Sequence, residues 1–64
     1  MFDILYSLKG DKYIARHLKT VGTEKAAWVI AKNIDKLPVG TIHVAITCED
    51  GRTIFDSSKD GWRE

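Results

Sequence analysis

Phe2, Ile4, Tyr6 and Leu8 recur at every second position, which predicts a strand over residues 2–8 with these four side chains on one face. A second stretch, Tyr13 to Thr20, reads as its hairpin partner across Lys9-Gly10-Asp11-Lys12. Glycine at the first central position of a two-residue loop suits a type II′ turn. That turn pairs Leu8 with Tyr13, Tyr6 with Ala15 and Ile4 with His17.

The period then changes. Gly22 and Thr23 announce a helix, with Thr23 as N-cap, Glu24 near the positive end of the dipole, and an alanine-rich run reaching Leu37 before Pro38 and Gly40 stop it. On a helical wheel Ala26, Ala27, Val29, Ile30, Ala31, Ile34 and Leu37 form one broad arc and Trp28 lies opposite. Thr41 to Glu49 and Arg52 to Ser57 form the clearest hairpin, because Asp50-Gly51 between two apolar-alternating runs is a type I′ signal. Pairing Glu49 with Arg52 sets Cys48 opposite Thr53 and Ile46 opposite Phe55.

Strand, strand, helix, strand, strand is the resulting order. A right-handed crossover from the second strand to the third, skipping one strand, gives the sheet order 2-1-3-4, antiparallel throughout. The expected fold is therefore α+β: a two-layer ββαββ domain with one helix on one face of a four-stranded sheet. Its expected core is Phe2, Ile4, Tyr6, Leu8, Ala15, Ala27, Ile30, Ile34, Leu37, Ile42, Val44, Ile46 and Phe55. Residues 58–64, polar apart from Trp62, read as a frayed tail.

Composition narrows the class. The 64 residues make one domain, and 44% hydrophobic residues with a formal charge of +1 oppose disorder. A single cysteine excludes a disulfide framework, and no run is long and apolar enough to span a membrane. The start MFDILYSLKG lacks the pattern of a signal peptide, so a cytoplasmic location is expected. Residues 1–32 hold six Lys/Arg against three Asp/Glu, and residues 33–64 hold four against six. That imbalance is small beside the basic excess of a dedicated nucleic-acid binder.

Catalytic chemistry finds little footing. Cys48 shares a face with Ile46 and Val44, where cysteine behaves as a small hydrophobe rather than a nucleophile awaiting His17 or His43. The two histidines lack metal-ligand spacing and a third ligand, and the glycines form no phosphate-binding loop. Neither cofactor nor metal is expected, and the chain reads as a non-enzyme.

Two surfaces remain. Lys25, Trp28, Lys32 and Lys36 fall within about 80° on the outer side of the expected helix, an aromatic ringed by lysines. Trp28 there is either a partner hot spot or a ring folded over a neighbouring segment. The uncovered sheet face gathers Leu5, Ile14, Leu18, Ala45 and Ile54 among Asp3, Ser7, Arg16, His43, Thr47 and Asp56, an apolar area rimmed by polar groups. The expected partner-binding residues are accordingly Trp28, Lys25, Lys32, Lys36, Leu5, Ile14, Arg16, Leu18, His43 and Ile54.

Together these features lead to the expectation of a small protein-binding module that modulates a larger protein as adaptor or inhibitor, with the open sheet face available for a homodimer. The start at Met1 reads as an independent product, and many bacteriophage-encoded regulators share this size, an analogy of size alone. The alternative is a nucleic-acid-binding module using Arg16, His17, Lys19 and the helix lysines. No membrane partner is expected.

Overall fold

The computed structural model describes residues 1–12 and 16–57. Tyr13, Ile14, Ala15 and residues 58–64 lie outside the described residues, and with them the expected start of the second strand, the core alanine Ala15, the open-face Ile14 and the expected tail. The Ile34 side chain lies outside them too.

The architecture is the expected one. Strands β1 (Phe2–Leu8) and β2 (Arg16–Val21) precede helix α1 (Glu24–Ala31), a 3-10 turn at Ile34–Lys36, and strands β3 (Thr41–Cys48) and β4 (Thr53–Asp56). The strands form one antiparallel sheet in the order β2-β1-β3-β4, with α1 packed on one face.

Helix α1 begins where its cap requires. Thr23 is extended at φ −131° and ψ 152°, and its Oγ1 accepts a hydrogen bond from the Ala26 N–H at 3.2 Å. The helix ends six residues short of the expected Leu37, and Asn33 is the reason. Its Oδ1 accepts the Asp35 N–H at 3.0 Å and its carbonyl accepts the Lys36 N–H at 3.0 Å, so the chain restarts as a 3-10 turn. An asparagine side chain that bonds the backbone two residues on competes with helix continuation.

Eight residues can bury only a narrow stripe. Ala27 and Ala31 are fully buried over Ile4, Val44 and Ile46, where the small alanines let the helix approach the central strands. With about 100° between successive residues, Val29 falls opposite that stripe, while Trp28 and Ile30 flank it on either side. Val29, on the expected apolar arc, is accordingly 50% exposed. Trp28 and Ile30 are half-buried and pack on the core's margins.

Three register shifts interrupt the sheet, and each redirects side chains that strict alternation placed elsewhere. The first hairpin turns one residue early: the Leu8 carbonyl accepts the Asp11 N–H at 2.9 Å, with Gly10 at φ 98°. Further along the pair Ile4 faces Lys19, not His17, and Leu5 faces His17, which leaves Leu18 as an extra residue in β2. Between β1 and β3, Ser7 faces His43 and Leu8 faces Thr41. Ile42 is the extra residue there and is 38% exposed instead of lying in the core, while Thr41 is buried and its Oγ1 donates to the Pro38 carbonyl.

The second hairpin also departs from its expected turn. The Cys48 carbonyl accepts the Gly51 N–H at 2.9 Å, and the Cys48 N–H donates to the Arg52 carbonyl at 2.7 Å. The loop is thus the three residues Glu49, Asp50 and Gly51, with glycine left-handed at φ 91°. Cys48 meets Arg52 rather than Thr53, and Thr47 faces Thr53. A compensating shift at Ile54 restores the expected pairing of Ile46 with Phe55.

Candidate functional site

The register shift in β2 creates the site. It brings Leu18 against the helix-side core, where alternation had put it on the opposite, open face. Ile30 approaches from the flank of α1, and Lys36 is carried in by the 3-10 turn that follows the early helix end. Leu18, Lys19, Ile30 and Lys36 line a cleft of about 300 Å³ between edge strand β2 and the α1 to 3-10 segment. Its volume matches the low end of ligand pockets, about 300–1,000 Å³. Among the described residues its lining joins the aliphatic Leu18 and Ile30 to two lysines.

Several other basic side chains have close neighbours, whereas Lys9, Lys12 and Lys25, like the two cleft lysines, meet no carboxylate among the described residues. Arg16 Nε donates to Asp11 Oδ2 at 2.8 Å, and Arg52 Nε to Asp50 Oδ2 at 2.8 Å. The Arg16 hydrogen bond, followed by the Leu8 N–H, holds the Asp11 carboxyl below the ordinary value of 3.8, and Asp11 in turn raises Arg16. His17 Nε2 lies 2.9 Å from Thr20 Oγ1 and 3.5 Å from Asp3 Oδ1. Thr20 donates to Asp3, and this bond is the leading cause of the lowered Asp3 carboxyl. Lys32 Nζ stands 5.4 Å from the Trp28 ring centre and 5.0 Å from that of Phe55. Among the described residues, neither Lys19 nor Lys36 lies within ion-pairing distance of a carboxylate.

The expected helix stripe is dispersed. Trp28 is half-buried, its ring 4.9 Å from Phe55 at 54°, with Nε1 donating to Glu24 Oε2 at 3.1 Å. It closes the β4 side of the core instead of standing outward, because at eight residues the helix needs its flanks for coverage. Lys25 remains exposed, Lys32 is drawn over the rings, and Lys36 sits across the helix at the cleft. One aromatic ringed by three lysines does not form.

The open sheet face is also less apolar than expected. Leu18 and Ile54 pack against the core through their register shifts. Ala45 is 5% exposed and Ser7 is 1% exposed, the latter with its Oγ 3.4 Å from His43 Nδ1. Leu5 and His43 are half-buried on that face, opposite Ala45 and Ser7 respectively. Lys19 and Ile30 were not among the expected partner-binding residues; only the breaker Asn33 and the mismatch between a short helix and a long apolar arc signalled them.

Cys48 is half-buried opposite Phe2. Among the described residues no three His, Cys, Asp or Glu side chains form a metal-holding group, and no helix is long and apolar enough to cross a membrane. No protein-family model, curated protein or solved structure matches this chain.

Proposed function

We propose that this chain is a small, non-enzymatic protein-binding module of the cytoplasm that modulates a larger protein as adaptor or inhibitor, with the β2–α1 cleft as its contact site. The observation that carries this reading is the cleft itself: aliphatic walls from Leu18 and Ile30 beside two lysines that meet no carboxylate among the described residues. An apolar centre with a charged rim is how protein interfaces combine affinity with orientation. The nucleic-acid alternative loses support, because Arg16 and His17 of its basic set are engaged with Asp11 and with Thr20 and Asp3.

Affinity capture from the native host tests it, with wild type beside the Lys19→Glu/Lys36→Glu double variant. The expected result is a discrete protein retained by wild type and lost by the variant. Retention of nucleic acid alone, released steeply by salt, would establish the alternative.

A further inference from the structure

We infer that the cleft takes an acidic, extended segment of the partner, which inserts one bulky aliphatic side chain between Leu18 and Ile30 and sets carboxylates against Lys19 and Lys36. This deepens the proposed function and rests on it. Charge complementarity selects the occupant. The two lysines come from opposite walls, Lys19 from β2 and Lys36 from the 3-10 turn, so a segment passing between them meets positive charge on both sides.

The volume sets the size of the anchor. About 300 Å³ accommodates a leucine-sized side chain with its neighbouring backbone and is small for an elongated cofactor. Geometry favours an extended segment. Strand β2 forms one edge of the sheet, and four of its six residues are exposed. An extended chain can lie along such an edge and direct alternate side chains to one side of it. The Leu18 irregularity twists the edge locally, so recognition is centred on the side chain and its flanking charges rather than on a long run of ladder hydrogen bonds.

Fluorescence anisotropy with short labelled peptides on the intact protein tests this inference. The first probe has a central leucine flanked by glutamates; the second replaces leucine with alanine; the third replaces the glutamates with lysines. The first should bind, the second at least about tenfold more weakly from the lost apolar burial, and the third not measurably. Lys19→Ala and Lys36→Ala, both at exposed positions where folding is spared, should each weaken the first peptide about threefold or more.

Equal binding of the leucine and alanine peptides overturns the inference, as does binding indifferent to both lysines. Equal displacement of the peptide by oligothymidylate would show a general anion site and overturn it too. If no peptide binds while the wild-type protein still captures a partner, the acidic-segment inference fails and the protein-binding reading stands. If the captured material is nucleic acid alone, the protein-binding reading itself fails.

Discussion

Trp28 illustrates how a single side chain changes role when its helix is short. The ring lies against Phe55, is held by Glu24 and is covered by Lys32. Trp28→Ala should therefore destabilise the domain by about 2–3 kcal/mol, somewhat below the roughly 3–5 of a fully buried aromatic. In a chain this small that lowers Tm by about 10 °C or more, readable by circular dichroism. An unchanged Tm would return Trp28 to the surface. Three carboxyls bear on stability at the same scale. Asp3, Asp11 and Asp50 are held below 3.8, chiefly by Thr20, by Arg16 and by the Arg52 N–H. A carboxyl lowered in the folded state adds stability that is complete above its unfolded value and is lost as pH falls through the folded value. Tm should thus stay level from neutrality to about pH 5 and decline below it. Asp11→Asn, which keeps an acceptor for the Leu8 N–H, should make that decline shallower; an unaltered acid profile would remove Asp11 from the account.

At the scale of elements, the turns decide where side chains end up. Gly51 sits at φ 91°, and a methyl group there would meet no atom within 4 Å, so any penalty for a larger residue is one of backbone conformation. Gly51→Ala should cost about 1 kcal/mol or more in chemical denaturation, whereas Gly22→Ala, outside the left-handed region and equally unobstructed, should be neutral or stabilising by up to about 1 kcal/mol. Equal effects at both positions would contradict the three-residue loop. The same turns explain what was legible beforehand. Element order, sheet order and the antiparallel pairing followed from periodicity, the Thr23 cap and the handedness of crossovers. The outlying core members did not, because a one-residue irregularity is invisible to period-two counting yet reverses a side chain. Leu18, Ile42 and Ile54 all lie at such points. The helix end was written in Asn33 but outweighed by the apolar arc running on to Leu37. The cleft was not legible because it depends on the strand irregularity and the early helix end together.

For the whole molecule, the formal charge of +1 conceals an uneven arrangement. Arg16, Arg52 and His17 lie in local contacts with aspartates and Lys32 lies over aromatic rings; of the described lysines outside such contacts, Lys19 and Lys36 stand together beside an aliphatic cleft. Among the described residues, the sheet's other face holds the buried Ala45 and Ser7 and only the half-buried Leu5 as a large apolar side chain. The proposed recognition is accordingly given the β2–α1 side as its assignment. Mapping amide shifts of the ¹⁵N-labelled protein as its captured partner is added tests that assignment most directly. The largest shifts should fall on Leu18, Lys19, Ile30 and Lys36. Shifts concentrated on Leu5, Ala45 and Thr47, with the cleft unmoved, would contradict it.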